Sequence, residues 1–439
     1  MTDPIACIDI GSTFTKGALV DPTTGTVTAQ AQTPTTVLTD VMTGVDAVLA
    51  DLGAGATTSV LACSSAGGGL RLAVVGYERS VTAEAGHRVG LSAGARIVHV
   101  AAGPLDPAGV TALHAGRPDI VLLVGGTDGG NAEVLLHNAH RLASSHLTLT
   151  APVVVAGNTT ARDDVADVLR SRGRPYVLAD NVLPAIGTVA PGGARAAIRE
   201  AFLRHVIGGT RLSRDPRFAR LVRAATPDAV LRGVEVLADA SGSDVLVIDI
   251  GGATTDVYSS VTPTGDDAGL RRDVVAPLRC SRTVEADLGL RWNAEGVLEA
   301  AAREQLRHRP DLREYAVHLA SEPSHLPVTP ADCERDIELA RLCALVAVRR
   351  HARAPGPAEP ARNLTDAALV VGSGGVLRHV AAAEAMALLD AVAGDQAGGW
   401  PLPRAARRVV DTAYLLCVVG LLAEEHPETA ARAATGLLG

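Results

Sequence analysis

Two residue classes are scarce in this chain. Aromatic residues make up only 2% of its 439 positions, and of its 40 basic residues Lys16 alone is lysine. A core without aromatic bulk must be packed from Ala, Val, Leu and Ile, as in parallel strands covered on both faces. Hydrophobic content is nevertheless 47%, and the length predicts two or more domains. Net charge is −8 with no basic block, which argues against a nucleic-acid partner. The six cysteines (Cys7, Cys63, Cys280, Cys333, Cys343, Cys417) lack CxxC spacing. They signal no zinc or iron–sulfur site, and a reducing cytoplasm is the expected setting. The apolar run from Tyr414 to Ala423 is too short to cross a bilayer and predicts a buried helix, so no membrane partner is expected. A strand entered by Ile5 leaves no room for a signal peptide.

The most informative stretch present is Asp249-Ile250-Gly251-Gly252-Ala253-Thr254-Thr255-Asp256, which follows the strand-like run Val245–Ile248. Near the N-terminus, Asp9-Ile10-Gly11-Ser12-Thr13-Phe14-Thr15-Lys16 follows Ile5–Ile8 in the same way. Each copy reads as a buried strand, a glycine turn with hydroxyls, and a second strand. Either alone is equally a glycine-closed hairpin with polar surface residues. Two matched copies point to polyphosphate, because glycine lets backbone N–H groups approach an anion. An aspartate repels phosphate directly, so its role would be to hold hydrated Mg²⁺. The single lysine lies inside the first copy, where a compact ammonium fits against phosphate better than a planar guanidinium.

Elsewhere the sequence predicts alternating strands and helices from 96 to 190, an inserted Rossmann-like α/β domain. Its strands end in Gly125-Gly126-Thr127-Asp128-Gly129-Gly130-Asn131 and Gly157-Asn158-Thr159-Thr160, loops that either bind a ligand or merely connect. Connecting helices are expected over 191–240, where Asp228 and Glu235 are carboxylates that could orient an attacking water. The glycine loop Ser64–Arg71 is a weaker candidate for ligand contact. A proline-bearing linker is expected over 352–363. Finally, the buried strand Ala367–Val371 runs into Gly372-Ser373-Gly374-Gly375 and a helix, a shape that suits a flat base or ribose.

Phosphate hairpin, phosphate hairpin and strand–GSGG–helix, in that order, resemble the actin/Hsp70/sugar-kinase superfamily of ATP-binding proteins. The resemblance implies an α/β fold of two ribonuclease-H-like domains around an ATP cleft, here residues 1–95 and 241–439. It also implies ATP and Mg²⁺ as cofactors. Asp9 and Asp249 would hold the metal through water. Gly11, Ser12, Thr13, Thr15, Lys16, Gly251, Gly252, Thr254 and Thr255 would surround the phosphates. Gly372, Ser373, Gly374 and Gly375 would receive the adenosine. Asp9-Ile10-Gly11-Ser12-Thr13-Phe14-Thr15-Lys16, Ser65–Arg71, Leu123–Asn131 and Thr283-Val284-Glu285-Ala286-Asp287-Leu288-Gly289 are similar to the glutamate-mutase accessory family. That family is unrelated to the mismatch-repair proteins that share its short name. It implies an ATP-dependent reactivating chaperone whose partners are adenosylcobalamin-dependent mutase subunits; a homodimer is a further expectation. A small-molecule kinase or an actin-like scaffold is the alternative.

Overall fold

The computed structural model describes residues 3–66, 69–145, 149–207, 212–262, 278–353 and 361–438. Gly67 and Gly68 of the expected glycine loop, and most of the expected proline-bearing linker, lie outside the described residues. The strands of the first two-thirds are β1 (Ile5–Ile10), β2 (Phe14–Val20), β3 (Val27–Pro34), β4 (Ser59–Ser64), β5 (Arg71–Gly76), β6 (Arg96–Ala102), β7 (Ile120–Leu123), β8 (Val153–Val155), β9 (Tyr176–Leu178) and β10 (Val222–Ala225). After them come β11 (Val245–Ile250), β12 (Thr255–Ser260), β13 (Cys280–Glu285), β14 (Leu369–Ser373) and β15 (Arg407–Val410).

Two of the three sheets are built alike. In the first, β1, β2 and β3 form an antiparallel meander, and β4 and β10 add in parallel beyond β1. In the second, β11, β12 and β13 form the meander, and β14 and β15 add in parallel beyond β11. Each half thus has the strand order 3-2-1-4-5 of a ribonuclease-H-like domain. The alternation of strand side chains explains how each sheet serves two cores. Val245 and Val247 face a cluster shared with β1, whereas Leu246, Ile248 and Ile250 pack on the Pro330–Ala352 helix.

The third sheet, β6-β5-β7-β8-β9, is wholly parallel. It is inserted between the fourth and fifth strands of the first half. Its start corrects the expected boundary at residue 96, because β5 pairs with both β6 and β7 near the middle of the sheet. Leu72, Ala73, Val74 and Val75 are completely buried there. An apolar run of four residues behind a glycine loop carries no periodicity from which to recognise a strand.

The halves are joined by two crossing helices. Thr226–Ser241 leads from β10 to β11, and Leu415–Leu422 follows β15. A Cβ on Gly233 would stand 1.9 Å from the Leu416 carbonyl oxygen, and one on Gly420 only 1.7 Å from that of Ala229. The two backbones therefore touch, which requires glycine on both helices. Around this crossing, Ile5, Cys7, Leu61 and Cys63 of the first sheet share one buried cluster with Val245, Val247, Leu369 and Val371 of the second.

Gly420→Ala should accordingly destabilise the chain by at least about 1–3 kcal/mol in urea unfolding, the cost of forcing atoms into a packed contact. Gly192→Ala, where a Cβ meets nothing within 4 Å, should change stability by less than about 1 kcal/mol.

Candidate functional site

The two aspartate–glycine turns are geometric twins. Gly11 N–H donates to Phe14 O at 3.1 Å, and Gly251 N–H donates to Thr254 O at 2.9 Å. Each turn therefore closes over four residues at the end of a central strand. Beyond those bonds, the N–H groups of Ser12, Thr13, Gly252 and Ala253 donate to no acceptor among the described residues. The tips meet, since a Cβ on Gly252 would lie 3.7 Å from Thr13 Oγ1.

The twins differ in charge. Register places Asp9 across from Lys16 in the first hairpin and Asp249 across from Asp256 in the second. The Asp9 carboxylate accepts from Thr226 Oγ1 at 2.7 Å and lies 3.6 Å from the Cys63 thiol. Asp256 accepts from Arg282 Nη2 at 2.7 Å, and that guanidinium is itself buried. Asp249 has no such cation of its own. Burial, and then the charge of Asp256, push its carboxyl up to about 6, against the pull of Lys16 and a hydrogen bond from Ser373. Three carboxylates thus converge where Lys16 and Arg282 are the cations. A divalent ion between Asp9 and Asp249 would relieve that excess, and oxygen donors of this kind suit Mg²⁺.

The remaining motifs buttress the second turn. Gly374 has φ 112°, and a Cβ there would fall 2.2 Å from Ile250 O, so the GSGG segment lies directly on the strand that carries Asp249. Leu290 N–H donates to Gly251 O, and Arg291 and Trp292 N–H donate to Gly252 O. Gly289 can pass because it lacks a side chain: a Cβ would come within 2.4 Å of Ala253 O.

Several expected roles change. Thr15 and Thr255 are completely buried. Thr15 Oγ1 lies 3.1 Å from Thr35 Oγ1, and Thr255 Oγ1 donates to Leu288 O at 2.6 Å. Both hydroxyls brace the turns from beneath and do not face a ligand. Thr254 Oγ1 donates to Asp256 at 3.1 Å. Asp228 and Glu235, expected as candidates for orienting water, each face an arginine. Asp228 accepts from Arg199 at 2.7 Å, and Glu235 from Arg195 at 2.6 Å. Their carboxylates are committed to arginines of the Pro191–Ala201 helix. The neighbouring cavity of about 250 Å³, walled by Arg199, Arg223, Asp228, Arg232, Glu424 and Glu425, shares no residue with the turns.

The sequence reading missed Tyr414, Arg378 and Thr226. Lys16 Nζ lies 4.4 Å from the centre of the Tyr414 ring, and Arg378 Cζ lies 3.4 Å from it. Arg378 also donates to Gln30 of the first half at 3.0 Å, so a cation–π cluster bridges the two halves. Tyr414 holds a left-handed φ of 55°, fixed by Asp411, which caps Leu415 and Leu416 N–H at 2.8 and 3.0 Å. Arg378 follows the GSGG segment and could have been suspected; nothing local marks Tyr414.

In the inserted sheet the Gly125–Asn131 loop is held by its neighbours. Asn158 bonds Gly129 N–H and Gly130 O, and Asn181 bonds Gly126 O and the Asp128 carboxylate.

Comparison with known proteins gives the family. The family described as MutL protein matches residues 5–436. The chain belongs to the MutL protein family. "Protein MutL" of Clostridium tetanomorphum is 32% identical over 456 residues, covering 98% of each chain. The family match takes in both ribonuclease-H-like halves and the inserted sheet. Among solved structures, a nucleotide-free acetone carboxylase is 15% identical with a TM-score of 0.42, covering 96% of this chain and 70% of that one. The ATP-dependent caprolactamase of Pseudomonas jessenii is 14% identical with a TM-score of 0.40, covering 95% and 70%. An activator of 2-hydroxyisocaproyl-CoA dehydratase from Clostridium difficile, solved with bound ADPNP, is 12% identical with a TM-score of 0.32, covering 97% and 95%. The assignment to the MutL family rests on the first two findings.

The raised Asp249 carboxyl gives a pH-dependent expectation. Its folded value lies above the unfolded one, so its contribution to stability is lost as pH rises from about 4 to about 6. Asp249→Asn should therefore unfold later than the native chain at pH 8, by roughly 2–3 kcal/mol. The gap should close as the pH of the urea titration is lowered from 6 to 4.

Proposed function

We propose that this protein is an ATP-dependent switch that works with Mg²⁺ and serves an adenosylcobalamin-dependent mutase, glutamate mutase or a related aminomutase, by restoring it after inactivation. The observation that carries the nucleotide part is the meeting of the two twin turns, Gly252 against Thr13, with unbonded N–H groups on both tips. Asp9 and Asp249 are the residues that would hold the hydrated metal, and bound there it would neutralise phosphate charge. The N–H groups of Ser12, Thr13, Gly252 and Ala253 would donate to phosphate oxygens, and Lys16 would supply the ammonium. Catalysis on such a site is mostly positioning and charge stabilisation. A ligand gripped by both tips favours the closed arrangement of the halves, and losing its terminal phosphate removes part of that preference.

The partner is inferred from membership of the MutL family and from the likeness of the Asp9–Lys16, Ser65–Arg71, Leu123–Asn131 and Thr283–Gly289 stretches to the accessory proteins of glutamate mutase. The work done on it would be opening the inactivated mutase so that damaged cobalamin leaves.

Turnover of ATP by the purified protein, and recovery of an inactivated mutase, test both parts. Asp249→Ala should abolish turnover and recovery together, and intact turnover would sink the site assignment. Lys16→Arg should also lower turnover more than tenfold although charge is kept. Turnover that depends on a small metabolite and is indifferent to the mutase would replace this reading with a kinase.

A further inference from the structure

The helix Leu312–Ser321 carries His318 in its last turn and is followed by Glu322-Pro323-Ser324-His325. His318 and Glu322 are four residues apart, so they share one side of the helix end. Glu322 N–H donates to His318 O at 2.9 Å, and His325 N–H donates to Glu322 O at 2.9 Å. These bonds fold the chain back and bring His325 over His318. One ligand atom from each of His318, Glu322 and His325 lies within 4.8 Å of the others.

The spacing of the two imidazoles is the decisive detail. His318 Nε2 and His325 Nδ1 are 3.3 Å apart, and their rings meet edge-on at 75° with centroids 4.7 Å apart. Two nitrogens bound to one tetrahedral ion at about 2.0–2.1 Å stand roughly 3.3–3.4 Å from each other. A hydrogen bond from a ring N–H is ordinarily shorter, at about 2.9–3.0 Å.

Contacts to its ring and its backbone carbonyl hold His325 in place. Its ring lies edge-on to Tyr315 at 6.3 Å, and its carbonyl accepts from Arg291 Nε at 3.0 Å. Arg291 is itself clamped by Asp336, which also accepts from the Tyr315 hydroxyl. The second ring nitrogen of His325, Nε2, is buried with no hydrogen-bond partner.

We propose that His318, Glu322 and His325 form a binding site for a divalent cation of the zinc class, with water at the fourth position. Two imidazoles and one carboxylate are a donor set for Zn²⁺ and its neighbours, not for Mg²⁺ or Ca²⁺, which take oxygen ligands. The site is independent of the nucleotide reading. Its outer shell nevertheless reaches the second turn, because Arg291 N–H donates to Gly252 O at 2.8 Å.

Untagged full-length protein, stripped with a chelator, should take up one equivalent of Zn²⁺ in a calorimetric titration. Its Co²⁺ form should show the intense visible bands of tetrahedral coordination. His318→Ala and His325→Ala should each weaken Zn²⁺ binding by more than about 100-fold, a larger loss than an outer-shell change produces. Their metal-free melting temperatures report that the variants fold. Cys63→Ser, which alters the second cluster of potential ligands among the described residues (Asp9, Cys63, Cys417), should bind Zn²⁺ as the native chain does. Absence of stoichiometric uptake would overturn the proposal. So would uptake kept in the folded His318→Ala/His325→Ala double variant, or lost in Cys63→Ser.

Discussion

The cross-strand pairing at the base of the two turns is the interaction on which the site depends. In one hairpin the register sets a carboxylate against an ammonium, and in the other a carboxylate against a carboxylate. Arg282 offsets Asp256, but Asp249 has no arginine of its own, is held by Ser373 and depends for charge on Lys16 from the other half. A site arranged this way is short of positive charge by construction. On the proposed function, affinity for a divalent ion with a polyphosphate would come from that shortage together with the bare N–H groups at the tips, because an anion alone would meet three carboxylates.

Such a pairing operates only if the two halves keep their relation to each other. The twin sheets deliver one turn each, and the crossing of Thr226–Ser241 over Leu415–Leu422 fixes where those turns meet. The crossing is also wired to the site. Thr226 opens the first helix and bonds Asp9; Tyr414 precedes the second and carries the ring against which Lys16 lies. Cys417, on that second helix, lies 3.4 Å from Cys63, whose thiol is next to Asp9. Sliding of one helix over the other is therefore felt at both ends of the Asp9–Lys16 pair. The inserted parallel sheet enters between strands four and five of the first half, so β4 and β10 can still pair side by side while the insertion grows outward.

Much of this was legible because it is local. A strand, an Asp, a Gly turn and a second strand lie within a dozen residues, and their repetition at 9–16 and 249–256 identifies both hairpins. The inward turn of Thr15 was also within reach. Adjacent strand residues point to opposite faces, so Thr15 and Lys16 cannot both face the same phosphate. Other features are set by tertiary packing. Asp228 and Glu235 looked available until the Pro191–Ala201 helix laid Arg195 and Arg199 against them. Tyr414 looked like the end of an apolar helix, and its left-handed backbone is imposed by Asp411. The strand Arg71–Gly76 is defined by its partners β6 and β7 and not by any pattern of its own.

The single lysine can now be given a physical reason. Its neighbours in space are Asp9 across the hairpin, the Asp249 carboxyl, and the Tyr414 ring at 4.4 Å. A guanidinium prefers to lie flat on an aromatic ring and to pair two-pronged with one carboxylate, and Arg378 already lies over that ring at 3.4 Å. A second guanidinium beside the same ring would compete for the face and draw Asp9 or Asp249 into a two-pronged pair. Either outcome would use a carboxylate that the proposed metal would need. An ammonium at the end of a flexible stem avoids both, since it is a compact charge that can leave the ring for a phosphate oxygen without breaking a planar stack. Arginine serves at the other basic positions; on the proposed function this one needs a charge that moves.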